Sequence, residues 1–351
     1  MKKQGLLYAP DPGEKLACLG GNVSTNAGGM RAVKYGATRD YVRSMTVVLP
    51  TGEITKFGAT VSKTSSGYSL LNLMIGSEGT LGIITELTLK VMPAPKMVAS
   101  LIIPFENLDD CISTVPKFKM AHMNPQALEF MEREIVLSSE RYIGKSVFPQ
   151  VVDGTTANAY LLVTLDASSE DELNTLIEET SEMVLEEGAI DVLVADTPAK
   201  MKDAWAARSS FLEAIMAETK LLDECDVVVP VNKISSYLSL VNKTAEDCGI
   251  TIKSFGHAGD GNLHIYQCSN DLEEEEFKTR VDKFFKIIYK EATQCGGLVS
   301  GEHGIGSGKM NYLAESVGDI NMNLMKGIKK VFDPNLIMNP GKVCCSLDDN
   351  K

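Results

Sequence analysis

Ser254-Phe255-Gly256-His257-Ala258-Gly259-Asp260-Gly261-Asn262-Leu263-His264-Ile265-Tyr266 is the stretch on which the reading of this chain turns. Thr251-Ile252-Lys253-Ser254-Phe255 and Leu263-His264-Ile265-Tyr266-Gln267, rich in β-branched and aromatic residues, are predicted strands. The Ala-Gly-Asp-Gly-Asn segment between them predicts a hairpin connection, because Gly supplies φ > 0 and Asn or Asp tolerates it. Two of the chain's four histidines sit here. On facing strands His257 and His264 are expected near each other, at a Cβ separation of roughly 4.5–5.5 Å. That spacing suits two imidazoles sharing one metal ion. The other open reading is two polar side chains on a solvated hairpin, hydrogen-bonded to backbone.

A second segment favours the metal: Gly296-Gly297-Leu298-Val299-Ser300-Gly301-Glu302-His303-Gly304-Ile305-Gly306. A Glu-His pair in so glycine-dense a loop has little packing value, and glycines let backbone come close to a ligand. If Glu302 joins His257 and His264, the donor set is two imidazoles and one carboxylate with coordination positions left over. Structural sites usually close all four, so this arrangement points to catalysis.

Composition sets outer bounds. The 351 residues can hold two domains, and 44% hydrophobic content is that of an ordinary globular protein. A net charge of −13 argues against nucleic acid and against an acidic membrane surface as partners. The acidic run Asp271–Glu276 reads as the solvated start of a helix. No apolar stretch has transmembrane length, and Met1-Lys2-Lys3-Gln4-Gly5 leads into no signal-peptide core. The eight cysteines are scattered without Cys-x-x-Cys spacing, so a reduced, cytoplasmic protein is expected, with Cys344-Cys345 incidental.

Residues 1–95 alternate short strands with glycine-rich turns. Gly20-Gly21-Asn22-Val23-Ser24-Thr25-Asn26-Ala27-Gly28-Gly29 is the densest turn. Ser44–Leu49 and Glu53–Phe57 form a predicted hairpin, Ser69–Ile75 a helix, Gly76-Ser77-Glu78-Gly79-Thr80-Leu81-Gly82 a loop, and Ile83–Val91 a strand. Exposed N–H groups in such loops suit phosphate or a planar ring, although ordinary tight turns have the same composition. Pro93-Ala94-Pro95 marks a linker. Beyond it are predicted strand 97–104, helix 107–120, strands 126–131 and 158–166, helix 169–187 and strand 190–195, the ferredoxin-like β-α-β-β-α-β order. Helix 198–218, strand Asp226–Pro230, helix 234–247, the histidine hairpin and helix 272–294 follow. No internal repeat or low-complexity segment is evident. Gly304-Ile305-Gly306-Ser307-Gly308-Lys309 is not a phosphate loop: His303 stands where the first Gly belongs and Met310 where Ser or Thr belongs. The dinucleotide fingerprint fails too, because Lys309 takes the third glycine position.

Taken together these motifs resemble the flavin-dependent D-2-hydroxyacid dehydrogenases, the group of glycolate oxidase large subunits, D-lactate and D-2-hydroxyglutarate dehydrogenases with a vanillyl-alcohol-oxidase-type FAD fold. Gly20–Gly29, Gly76–Gly82, the histidine hairpin, the Glu302-His303 loop and Asn339-Pro340-Gly341-Lys342 occur in the family's order. The resemblance implies an α+β chain. Residues 1–95 would be the C-terminal half of an FAD-binding domain, 96–330 a ferredoxin-like FAD-linked oxidase cap carrying the substrate site, and 331–351 a segment returning to the FAD domain. It implies FAD contacts from Ser24, Thr25, Asn26, Ala27, Gly28, Gly29, Gly76, Glu78, Gly79, Thr80, Ile83, Ile84 and Asn339. It implies a divalent metal (zinc, iron or manganese) at His257, His264 and Glu302, with His303 as catalytic base and Arg208 as clamp on the substrate carboxylate. Without the resemblance, Arg208 reads as a solvent-facing helix residue.

The implied reaction is FAD-dependent oxidation of a small D-2-hydroxy acid, D-lactate or glycolate, to the 2-oxo acid. Implied partners are an electron-transfer flavoprotein or iron–sulfur subunit and a second copy in a homodimer. The chain departs from the family in beginning just ahead of the flavin domain's second half. A catalytically incomplete fragment or accessory subunit, lacking the loop that holds the FAD pyrophosphate, is therefore the alternative expectation. Val231 stands where glycolate- and lactate-type relatives often place Arg, and Leu212 and Glu224 replace polar ligands of the hydroxyglutarate enzymes, which argues against a second substrate carboxylate.

Overall fold

In the first part of the chain, apolar residues of Val42–Val48 (β1) turn Val42, Met45 and Val47 inward. Antiparallel partners flank β1 on both edges: Ile54–Gly58 (β2) and Ile83–Leu89 (β3). The computed structural model describes residues 2–14 and 16–345. It divides into two units, Met1–Ala94 with Val299–Lys351, and Pro95–Leu298. Among the described residues no helix is long and apolar enough to cross a membrane.

Two of the first unit's helices bear on the site. Leu19–Thr25 (α1) ends at Asn26, whose left-handed backbone (φ 52°) closes it through its N–H to Asn22 and Val23 carbonyls. Met310–Phe332 carries Ile328 and Phe332 against the core of Val42, Met45, Val47, Phe57, Met74 and Leu81. The chain leaves the second unit at Leu298, directly after Gly296-Gly297, and Ile328 and Phe332 of this segment pack with the first unit. Its Lys329, fully enclosed, donates to the carbonyls of Thr80 and Met338 at 2.7 Å and pairs with Asp333.

The second unit is built on one seven-stranded sheet. Its strands are β4 (Met97–Phe105), β5 (Ala127–Glu132), β6 (Ala159–Ala167), β7 (Leu193–Ala195), β8 (Leu221–Val228), β9 (Thr251–His257) and β10 (Asn262–Ser269), in the order β7-β4-β6-β5-β9-β10-β8. The first four, with helices Leu108–Met120 and Glu170–Glu186, form the expected ferredoxin-like unit. The other three repeat that plan. β8, helix Ile234–Cys248, β9, β10 and helix Glu274–Gln294 follow in the same order, and Leu298 bridges back to Val228 where a fourth strand would lie. The two halves join by β5–β9 pairing at Met131↔Phe255 and Phe130↔Gly256.

The histidine hairpin thus lies inside the sheet, between β5 and the edge strand β8. Gly256 permits the approach of β10, since a Cβ there would lie 2.3 Å from the Asn262 carbonyl oxygen. Gly261 holds φ +84°, and its Cβ would lie 2.0 Å from the carbonyl oxygen of Val229. Both backbone conformation and space therefore exclude a side chain. Gly261→Ala is expected to cost on the order of 3 kcal/mol or more in urea unfolding; a loss below about 1 kcal/mol would show that the turn can rearrange.

Candidate active site

The β9–β10 register refines the expected histidine pair. His257 stands opposite Asn262 and His264 opposite Phe255, so the two histidines are diagonal neighbours rather than facing ones. The diagonal still brings the rings together, with centroids 5.2 Å apart and planes at 89°. Both are buried, so the solvated-hairpin reading does not apply.

Arg208 is not solvent-facing. It lies in the last turn of the helix Pro198–Ser209, 7% exposed, with its guanidinium carbon 4.7 Å from the Phe255 ring centre and 5.2 Å from that of Phe211. Such stacking suits a planar, weakly hydrated cation. Its Nε and Nη2 donate to the same carboxylate oxygen of Glu129, at 3.0 and 2.7 Å. The Glu129 oxygens also lie 2.8 and 2.9 Å from His257 Nδ1.

Glu129 is the functional residue that the sequence reading missed. It is a carboxylate at 0% exposure in the middle of β5. Burial pushes its pKa up, but the pairing with His257 and Arg208 and their hydrogen bonds outweighs this and holds it below the ordinary range. The available signal was a single acid inside the apolar run Ala127-Leu128-Glu129-Phe130-Met131, which cannot be buried without partners.

Three residues along the same strand the balance reverses. Burial pushes the Glu132 carboxyl up to about 7, with the Ser254 hydroxyl only partly opposing. Its folded value is raised above the unfolded one, so its ionisation opposes folding: stability is greatest below the unfolded value and declines as pH rises towards 7. A shift of this size corresponds to about 3 kcal/mol. Glu132→Gln is thus expected to be more stable than the parent by that order at about pH 8, with the advantage vanishing near pH 4. Urea midpoints at the two pH values measure it; equal gains at both would contradict the assignment.

The remaining sequence-predicted residues lie in the first unit. Ser24 and Thr25 hydroxyls bond back to the carbonyls of Gly20 and Gly21, at 2.9 and 3.3 Å. Asn26 Oδ1 accepts the Arg39 N–H at 3.0 Å, and the Ala27 carbonyl accepts the Thr38 hydroxyl at 2.8 Å. Those contacts stiffen the loop that leads to Gly28 and Gly29. A Cβ on Gly28 would lie 3.0 Å from Glu302 Oε2, so the loop and Glu302 are in close contact. Gly29 holds φ +117° with its Cβ position 2.4 Å from the Asp11 carbonyl oxygen.

Glu78 directs its carboxylate to the loop after His303, accepting the N–H groups of Ile305 and Gly306 at 2.7 and 2.8 Å. Asn339 donates to the Glu78 carbonyl at 2.5 Å. Glu78 therefore serves by fixing the Glu302-His303 loop. Gly76 and Gly79 hold left-handed turns on either side of it, and Thr80 closes the turn through its hydroxyl to the Ser77 carbonyl at 2.7 Å. Ile84 is half-buried and Ile83 is 56% exposed. His303 is partly exposed, its Nε2 3.6 Å from Glu302 Oε1.

This fold class is found among flavoenzymes. Residues 94–343 match the family of FAD linked oxidases, C-terminal domain, and residues 1–58 match an FAD binding domain. The chain belongs to the FAD-linked oxidases and is an oxidoreductase of that family. It is 68% identical over 346 residues to D-lactate dehydrogenase of Anaerostipes hadrus, covering 99% of this chain and 73% of that protein. It is 37% identical to glycolate oxidase subunit GlcD of Bacillus subtilis, covering 98% of this chain and 72% of that one. Among solved structures, p-cresol methylhydroxylase with bound substrate superposes with a TM-score of 0.76 at 15% identity, covering 99% of this chain and 73% of that one. That likeness places the fold with the vanillyl-alcohol-oxidase type, as expected from the sequence.

Proposed function

We propose that this chain oxidises D-lactate, or a similarly small D-2-hydroxy acid such as glycolate, to the 2-oxo acid, with FAD as hydride acceptor and a divalent metal at His257, His264 and Glu302. The observation that carries the reading is the buried cluster in which one carboxylate holds both Arg208 and His257. The 68% identity to a D-lactate dehydrogenase supports the substrate.

The residues fit such a metal. His257 engages Glu129 through Nδ1, which leaves Nε2 as the atom that can coordinate. Two imidazole nitrogens and a carboxylate oxygen are a usual donor set for zinc, iron or manganese. Bound there, the ion would bind the substrate's oxygens and lower the pKa of its 2-hydroxyl. FAD supplies an acceptor for the Cα hydride, which no side chain can provide.

The chain's own groups do the rest. Arg208, its guanidinium carbon 4.7 Å from the Phe255 ring centre and 5.2 Å from that of Phe211, gives the substrate carboxylate a fixed cationic partner through donors not used on Glu129. His303, partly exposed on a glycine-rich loop, takes the hydroxyl proton as the Cα hydride departs. Proton and hydride leave together as two electrons and two nuclei, and the carbinol becomes a carbonyl. Ser24–Gly29, Gly76–Thr80, Ile83, Ile84 and Asn339 would line the flavin, with left-handed turns bringing backbone N–H groups close to it.

The test is optical. The chain incubated with FAD and desalted should be yellow, and anaerobic D-lactate should bleach it while L-lactate does not. A yellow chain indifferent to both enantiomers would contradict the substrate, and a colourless one would contradict flavin binding by this chain.

A further inference from the structure

We infer that Glu129 is a positioning residue that sets the tautomer of His257 and the orientation of Arg208 together, through a single buried carboxylate. The inference rests on the functional reading of those two residues and adds the group that prepares both. Placing a carboxylate at 0% exposure in a sheet strand is costly, and Arg208 engages only its Oε2. The second oxygen does not turn to a backbone donor. It lies 2.8 Å from His257 Nδ1, while Oε2 is 2.9 Å from the same nitrogen.

Two consequences follow from the hydrogen-bond chemistry. A carboxylate facing Nδ1 accepts a hydrogen bond from its N–H, so neutral His257 carries its hydrogen on Nδ1 and its lone pair on Nε2. The second concerns Arg208. Glu129 Oε2 takes the Nε and Nη2 donors on one edge of the guanidinium, and the rings of Phe255 and Phe211 lie beside it, 4.7 and 5.2 Å from its carbon. The substrate carboxylate is then met by the opposite, Nη1 side, in one orientation. A residue buried from all ligands thereby governs both ends of a 2-hydroxy acid: the end that the metal binds and the end that the guanidinium binds.

The experiment uses the full chain, stripped of metal, with zinc chloride and D-lactate as probes. Glu129→Gln keeps the volume but gives up the charge and one acceptor. Its zinc Kd is expected to rise about 10–100-fold, the usual effect of removing a carboxylate behind a ligating histidine. The D-lactate KM should rise about 10-fold or more, because Arg208 loses its fixed partner. Glu132→Gln, on the same strand, should leave both values unchanged. A folded Glu129→Gln chain that binds zinc and D-lactate like the parent overturns the inference.

A second measurement needs no substitution at Glu129. The side-chain ¹⁵N spectrum of the metal-free parent, assigned among four histidines by His→Gln replacements, reports the tautomer of His257. A hydrogen on Nδ1 supports the inference and one on Nε2 overturns it, even if Glu129→Gln does not fold. A parent chain that takes up no zinc contradicts the metal reading instead, and the tautomer still decides the role of Glu129.

Discussion

Arg208→Met is expected to lose both stability and substrate binding, and the two losses have one origin. Glu129, at 0% exposure, would keep its charge but lose the partner that takes two of its hydrogen bonds. Removing one member of a buried ion pair typically costs about 3–5 kcal/mol, because the other charge stays buried. His257 remains beside Glu129 and softens that cost, so the lower end of the range is expected in urea unfolding. KM for D-lactate should rise by roughly 100-fold or more, since a charge-assisted contact to carboxylate is worth about 3 kcal/mol. Arg208→Lys should recover little. A single ammonium cannot present Nε and Nη2 to one oxygen, stack on Phe255 and still face substrate. A lysine variant within a few-fold of the parent would show that charge alone suffices.

His303→Ala should produce the other large effect, in a different quantity. Loss of a general base lowers the chemical step by about 10²–10⁴-fold. His303 has no place in the metal donor set proposed from His257, His264 and Glu302, so metal content should stay at the parent value. The partly exposed side chain, with Nε2 3.6 Å from Glu302, carries little packing, and the melting temperature should change by no more than a few degrees. Undiminished flavin reduction, or loss of metal with loss of rate, would remove His303 from the role of base.

Much of the cap could be read from sequence because its elements carry strong local signals. Strands 97–104 and 158–166 and helix 169–187 differ from those observed by about a residue at their ends. The helix Arg133–Ile143 was missed for a physical reason. Its buried face mixes Ile135 and Val136 with Ser138, Ser139 and Glu140, so the apolar part of the stripe is short. That face is satisfied by tertiary bonds instead, from Ser139 to the Ala207 carbonyl at 2.7 Å and from the Val147 and Phe148 N–H groups to Glu140 at 2.6 and 2.7 Å. Helix 198–218 is interrupted at Ser210, whose hydroxyl bonds to the Ala207 carbonyl at 3.0 Å and offers the backbone an alternative to the ladder.

The doubling of the ferredoxin-like plan was invisible for a similar reason. In the second half the fourth strand shrinks to the single bridge Val228↔Leu298, preceded by Gly296-Gly297, so no strand-length signal exists. At the site, histidines and glycines announced themselves by type and spacing. Glu129 did not, because its importance lies in partners 79 and 128 residues away in the chain.

The proposed role of the hairpin histidines is to prepare a 2-hydroxy acid for hydride loss through a bound divalent ion. The most direct measurement is the anaerobic rate of flavin bleaching by D-lactate in the FAD-loaded chain, stripped of metal and then titrated with zinc or manganese. The account predicts a slow or absent rate without metal, restoration that saturates near one equivalent, and no restoration in His257→Ala or His264→Ala. Full-rate bleaching by the stripped chain, unchanged by added metal or by either substitution, would contradict it.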